Sequence, residues 1–468
     1  MTPLRLLLCT TLAAAGATAL PALVDRNLDG VSDIWSSLHP AAGAPSADPD
    51  GDGAPNLAEA LAGTDPLSAA SRLAAVVSTD TSGNLVLRWH GVAGKRYQIE
   101  SSADLRTWAP FSTARSGAAA EIAVIVRAPG TAGPHPQLWR VSVADQDTDG
   151  DALTDWEESG LATAPAQADT DSDGYADGFE VAYGFNPKVA ETGPREIPLW
   201  SDTAPIGGGA TEPAANYNAL TLHLAAGGEG QALVVCPGGG YAGQVLGAEG
   251  HDIAAWLQSH NISGCVLRYH LPAGRSEVPL LDAQRALRFL RTHAAALGLD
   301  PRRIGIIGFS AGGHLAASAS TLYDAGNPQA TDPIDRVSSR PDFTVLIYPV
   351  VSMTDALTHG FSRDNLFGSW NATPALIQRF SAELNVTATT PPMYLAHAVD
   401  DVIVSIGNSR ALAAALQARS VPHTLLELPT GGHGFMHQGT YYSGPSWDAW
   451  QAGSLAWLAA LPLPATNQ

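Results

Sequence analysis

A chain of 468 residues exceeds what one hydrophobic core serves, so two or three domains are expected. With 25 Lys and Arg against 45 Asp and Glu, the formal net charge is −20. That balance argues against nucleic acid, whose phosphates need basic partners, and against an anionic membrane surface.

The N-terminus reads as an export signal over residues 1–19: Arg5, an apolar run from Leu6 to Ala15, then Ala17-Thr18-Ala19 as a small-residue cleavage site. No other segment reaches the length of a membrane span, and the expected location is secreted, extracellular or periplasmic.

Residues 20–71 then carry acidic residues in a fixed order. Asp25, Asn27, Asp29, Gly30 and Asp33 make one loop, and Asp48, Asp50, Asp52, Gly53, Asn56 and Glu59 a second. These are positions one, three, five, six, nine and twelve of a calcium loop, in which alternate residues of a turning chain aim oxygens at one point. The first loop ends in Ser36 where the others have a glutamate. The spacing recurs in residues 145–190, as Asp147, Asp149, Asp151, Asp155 and Glu158, then Asp169, Asp171, Asp173, Asp177 and Glu180. The loops form two tandem pairs. They resemble the thrombospondin type 3 repeats of secreted bacterial proteins, a likeness that implies structural Ca²⁺.

Between the pairs, residues 72–144 hold short alternating runs at 84–89, 96–101, 121–126 and 138–143, bounded by Gly and Pro turns. This pattern predicts a small β-sandwich module, with Trp89, Tyr97, Trp108 and Trp139 in its core.

From residue 195 to 463 the pattern becomes α/β. Ala232–Cys236 is a buried parallel strand running into Pro237-Gly238-Gly239-Gly240, whose glycines let backbone N–H groups approach an oxyanion. Cys265 falls on a second such strand. A disulfide between neighbouring parallel strands has poor geometry, so Cys236 and Cys265 are read as core thiols. Arg303–Ile307 is a further strand, followed by Gly308-Phe309-Ser310-Ala311-Gly312 and a small-residue helix. Strand, GxSxG and helix together make a nucleophile elbow, with Ser310 as nucleophile and the N–H of Ala311 joining those of Gly239 and Gly240 as oxyanion donors. The segment 352–390 is long enough for a lid or binding rim. The strand 392–397 leads to Asp400 and Asp401, two candidates for the triad acid; motif register counted from His397 favours Asp401. After a last strand, Gly431-Gly432-His433-Gly434-Phe435 places His433 on a glycine loop, where it can act as the general base. The order Ser310, Asp401, His433 is that of α/β hydrolases.

These stretches, with Leu281–Ala286 and Ser339–Phe343, resemble the α/β-hydrolase esterases grouped with bifunctional feruloyl and acetyl-xylan esterases, apart from a proline where the oxyanion loop usually begins with histidine. The resemblance implies a serine ester hydrolase that needs no catalytic cofactor. It also implies acylated plant or algal polysaccharide, such as xylan, or a small ester as substrate, with polysaccharide or cell-surface contact open to the N-terminal modules. Two other readings stay open: a prolyl-oligopeptidase-like serine peptidase, and a catalytically silent surface adhesion protein.

Overall fold

The all-apolar strands of the C-terminal half are buried on both faces, whereas those of the N-terminal half alternate, and two kinds of sheet follow. In the computed structural model, residues 24–25, 29–129, 138–200, 218–369 and 371–462 are described. The proposed signal segment and Asn27 lie outside these residues. Two units divide the chain, 1–191 and 192–468.

In the first unit, α1 (Asp33–Leu38) and α2 (Asn56–Ala62) each continue one acidic loop. Strands β1 (Val76–Thr79), β2 (Leu85–His90), β3 (Lys95–Ser102), β4 (Ala109–Pro110), β5 (Arg115–Ser116), β6 (Glu121–Arg127) and β7 (Leu138–Asp145) follow. They pair antiparallel in two sheets, β1-β2-β6 and a second in which β3 pairs with β4, β5 and β7. Leu87, Trp89 and Val124 of the first sheet share one core cluster with Tyr97, Ile99, Trp139 and Val143 of the second. Trp108 is absent from that cluster; it lies half-exposed beneath the Arg140 guanidinium, 4.4 Å from ring centroid to Cζ. Helices α3 (Asp155–Leu161) and α4 (Asp177–Tyr183) continue the second loop pair.

The second unit runs β8 (Arg195–Ile197), β9 (Ala219–His223), β10 (Ala232–Cys236), α5 (Asp252–Ser259), β11 (Ser263–Arg268), α6 (Glu277–Thr292), β12 (Ile304–Phe309), α7 (Ser310–Thr321), β13 (Thr344–Ile347), α8 (Gly360–Phe367), α9 (Pro374–Phe380), β14 (Met393–Ala398), α10 (Gly407–Ala418), β15 (His423–Leu428) and α11 (Gly444–Ala459). Among the described residues the sheet has eight strands in the order β15-β14-β13-β12-β10-β11-β9-β8. From β10 to β15 they are parallel. At the far edge β9 and β8 turn antiparallel, a reversal the sequence pattern did not announce. Strands β10, β12, β13 and β14 are buried at every residue, as a sheet covered on both faces requires. Strand order reverses between β10 and β12, where Cys236 pairs with Gly308. At such a switch point the loops leaving the two carboxyl ends diverge and leave a crevice. Here those loops are the glycine triplet and the elbow.

Candidate active site

Ser310 follows the last residue of β12 and opens α7, with φ +53°, a left-handed value that a non-glycine residue adopts only when its surroundings force it. The forcing is visible in the flanking glycines. A Cβ on Gly308 would overlap the Gly312 carbonyl, and one on Gly312 would overlap the Cys236 carbonyl of β10. The elbow is therefore pressed against the neighbouring strand, and Ser310 is lifted at the start of α7. The helix begins at Ser310 itself, three residues before the run from Gly313 that the sequence had indicated.

Three residues predicted from separate segments converge there. His433 Nε2 lies 2.9 Å from Ser310 Oγ, and His433 Nδ1 lies 2.7 Å from Asp401 Oδ2. An ionised carboxylate only accepts, so Nδ1 carries the proton and Nε2 is left to accept from the serine hydroxyl. Asp401 also accepts from the backbone N–H groups of Ile403 and Val404, both at 2.9 Å, and from His397 Nε2 at 3.2 Å. Burial alone would raise its pKa, but the hydrogen bonds from His397 and His433 outweigh that and hold it well below the usual carboxylate range.

His397 is a site residue whose role sequence reasoning missed. Fully buried, it donates from Nε2 to Asp401 and to Val404 O at 2.9 Å, while Nδ1 accepts from Ser409 Oγ at 2.8 Å. Its position at the head of the motif was the available signal. Asp400 does a different job: it accepts from the N–H groups of Gly431 and Gly432, at 3.2 and 2.8 Å, and so anchors the loop that carries His433.

The glycine triplet sits beside the elbow. The Gly238 N–H is committed to Glu249 Oε2 at 2.7 Å. Gly239 and Gly240 follow it, and Ala311, the second residue of α7, offers its N–H at the helix N-terminus, where the dipole favours negative charge. Two residues of the 352–390 segment fix this loop. Asn365 Nδ2 donates to Gly240 O at 3.1 Å, and the Phe361 ring, half-exposed, fills the space where a Gly240 Cβ would be.

In the first unit the acidic loops fold alike. Position one turns back onto the loop backbone: Asp48 accepts from Gly51 and Gly53, Asp147 from Gly150 and Ala152, Asp169 from Ser172 and Gly174, and Asp25 from Asp29 and Gly30. Asp48, Asp50 and Asp52 bring carboxylate oxygens within 4.8 Å of one another, as do Asp147, Asp149 and Asp151, and Asp169, Asp171 and Asp173. Glu59, Glu158 and Glu180, at position twelve, are buried. Buried oxygens of Asp50, Asp52 and Glu59, and of Asp149 and Glu158, meet no donor in the protein. Burial, reinforced by the neighbouring aspartates, pushes Glu59 up to about 7 and Glu158 up to about 8. A hard divalent cation would satisfy those oxygens and relieve that repulsion, so the residues fit Ca²⁺. Position nine behaves otherwise. Asp155 accepts from Thr148 and Gln146, Asp177 accepts from Thr170, and Asn56 donates to Ala42 O and Ala44 O. These side chains clamp the loop entrance, a use the ligand spacing had not indicated. In the first loop Asp29 bonds the Val31 N–H and Asp33 opens α1.

Comparison with known proteins adds identity to this geometry. The BD-FAE profile matches residues 231–416, spanning the glycine triplet, the elbow and Asp401. A solved structure, an acetyl ester-xyloside bifunctional hydrolase from Caldicellulosiruptor lactoaceticus, is 35% identical with a TM-score of 0.52, and the match covers 57% of this chain and 96% of that one. The chain belongs to the BD-FAE family. Its second unit is thus an α/β-hydrolase domain of esterase type, and its N-terminal region carries bacterial TSP3 repeats, matched at 48–69 and 169–190. An acetylxylan esterase from Xylanibacter ruminicola is 32% identical over 238 residues, or 50% of this chain and 46% of the relative. An endo-1,4-beta-xylanase B from Butyrivibrio fibrisolvens is 34% identical over 209 residues, or 43% of this chain and 32% of the relative. The matches thus span less than half of either curated relative. Among the described residues no helix is long and apolar enough to cross a membrane.

Proposed function

We propose that this protein is a secreted serine carboxylesterase that removes acetyl or feruloyl groups from a plant or algal polysaccharide such as xylan. The observation that carries the reading is the unbroken relay Ser310 Oγ, His433 Nε2, His433 Nδ1, Asp401 Oδ2, with links of 2.9 and 2.7 Å, beside the glycine triplet. In this reading Ser310 Oγ attacks the ester carbonyl carbon while His433 Nε2 takes its proton. The carbonyl oxygen becomes an oxyanion facing the N–H groups of Gly239, Gly240 and Ala311. Collapse of the tetrahedral adduct breaks the bond to the sugar oxygen, which leaves as an alcohol with the proton from His433. Water then attacks the acyl-enzyme, His433 again taking the proton, and the acid departs with Ser310 restored. Asp401 holds the imidazole in the tautomer this requires and balances its transient positive charge.

The choice of xylan rests on the acetylxylan esterase and xylanase likenesses. Ca²⁺, held by Asp48, Asp50, Asp52 and Glu59 and by the corresponding residues of the 147 and 169 loops, serves structure by neutralising clustered carboxylates. Contact with polysaccharide through the N-terminal modules is part of the same proposal.

The test is a panel of acetylated xylan, methyl ferulate and a peptide anilide, run with the protein and its Ser310→Ala variant. Release of acetate or ferulate by the protein alone is expected, with a loss on the order of 10⁶ in turnover for the variant. Cleavage of the anilide in preference to the esters, or a variant as active as the parent, would overturn the reading.

A further inference from the structure

Behind the glycine triplet lies a carboxyl group that the mechanism does not use. Glu249 sits on a single π-helical turn, Gly247–His251, ahead of α5, and is 3% exposed. Such turns are rare and often occur at functional sites. Its Oε2 accepts the Gly238 N–H at 2.7 Å, and its Oε1 accepts the Tyr348 hydroxyl at 2.9 Å. The Tyr442 hydroxyl lies close enough for this carboxyl to push its pKa up, after burial itself. The nucleophile is close by: a Cβ on Gly238 would lie 2.6 Å from Glu249 Oε2 and 3.0 Å from Ser310 Cβ.

Both tyrosines reach the histidine loop. The Tyr348 ring centroid is 4.8 Å from that of His433 and 5.0 Å from that of Phe435. The Tyr442 N–H donates to Gly434 O at 2.9 Å. Tyr348 also carries φ +36°, an unfavourable backbone value that its buried surroundings maintain. One carboxyl therefore joins the loop that carries the oxyanion donors to the loop that carries the general base, two segments separated by almost 200 residues of chain.

We propose that Glu249 is a positioning residue that fixes the oxyanion loop through Gly238 and the His433 loop through Tyr348, so that both address the same reacting carbonyl. The proposal rests on the esterase reading. Misplacing preorganised donors by even a fraction of an ångström weakens transition-state contacts more than ground-state ones, so the cost falls on kcat. Burial pushes the Glu249 carboxyl above its ordinary range, against the pull of the Gly238 and Tyr348 bonds. Glu249→Gln keeps the shape of the side chain and an oxygen for the Gly238 N–H, and its NH₂ can donate to the Tyr348 hydroxyl oxygen.

The experiment measures kcat and KM on p-nitrophenyl acetate, per active site counted with a phosphonylating reagent, for Glu249→Ala, Glu249→Gln and Tyr348→Phe, with Ser310→Ala as control. Glu249→Ala is expected to lower kcat per titrated site by about 10²-fold, the scale of losing one oxyanion donor, with KM within about threefold. Glu249→Gln should recover most of that loss. Tyr348→Phe keeps the ring against His433 and removes only the hydroxyl; it should lower kcat per site by about fivefold, as for one buried hydrogen bond, and it decides the matter where the alanine variant does not fold. A loss seen only as fewer titratable sites, a glutamine variant no better than alanine, or wild-type kcat per site in Tyr348→Phe would overturn the proposal. Activity persisting in Ser310→Ala would instead overturn the esterase reading, so the two failures are distinguishable.

Discussion

Asp400 and Asp401 are adjacent, equal in charge and both bonded to the histidine loop, so their amide variants make a discriminating pair. Asp401 accepts four N–H groups, from His397, His433, Ile403 and Val404. Asparagine supplies one acceptor oxygen in place of two and turns an NH₂ group toward one of those donors. If its oxygen stays with the Ile403 and Val404 N–H groups, its NH₂ faces His433 Nδ1. The imidazole can meet a donor there only by moving its proton to Nε2, and that nitrogen can no longer accept from Ser310. The tautomer penalty costs about 10⁴ in turnover in other serine hydrolases, equivalent to about 5.4 kcal/mol at 1.36 kcal/mol per decade. Asp400→Asn disturbs only two bonds, at 2.8 and 3.2 Å to the N–H groups of Gly432 and Gly431, on an exposed residue. An amide oxygen keeps at least one of them, and a single hydrogen bond is worth about 1 kcal/mol. The expected ratio of the two effects is therefore about 10³. Steady-state hydrolysis of p-nitrophenyl acetate at pH 8, per titrated site, measures it. Variants within tenfold of one another would refute the tautomer argument, and the reverse ranking would move the acid to Asp400.

Asp401 also sets a pH expectation. Its pKa is depressed in the folded protein, so its stabilising contribution is fully present above the unfolded value of about 3.9 and is lost only as pH falls toward the folded value. The difference in melting temperature between the protein and Asp401→Asn should hold from pH 8 to about pH 4 and narrow below it; a gap that closes between pH 7 and 5 would contradict the assignment of charge. Chelation should act on the first unit alone. Ca²⁺ at 100 times its dissociation constant contributes about 2.7 kcal/mol, so EDTA should lower the melting of that unit and open residues 25–59 and 145–180 to protease, while hydrolysis of a small acetyl ester persists because no relay residue lies in those loops. Loss of esterase turnover on chelation would place a metal in the chemistry.

The parts of this site legible in sequence are those specified by a local run. GxSxG after an apolar run and before small residues has few folded solutions, because the elbow needs glycine where Gly308 and Gly312 press against backbone. The strands β10, β12 and β14 were legible as short, largely apolar runs. The second and fourth acidic loops, matched as TSP3 repeats, were legible from alternate aspartates alone. Trp108 was misjudged because an apolar residue in a strand-rich segment is usually core, whereas here Arg140 offers its ring a cation at the surface. Position nine of the acidic loops was ambiguous for a related reason: a carboxylate can serve a cation or the loop's own N–H groups, and spacing does not separate the two.

What sequence could not reveal are the groups whose meaning depends on partners far along the chain. Glu249 looks like any charged residue near a helix start, yet its bonds to Gly238 and Tyr348 are made possible by the strand order, which sets the ends of β10 and β13 on either side of β12. His397 differs in that its partners Asp401 and Ser409 lie only 4 and 12 residues on and its motif position was a signal, yet an imidazole near the end of an apolar strand does not say which bonds it makes. Burying such polar groups costs several kcal/mol each unless every donor finds an acceptor. A satisfied network of this kind is a constraint that many distant positions must meet together. The local grammar of the chain thus identifies which atoms could react, while the buried polar contacts determine how narrowly they are held.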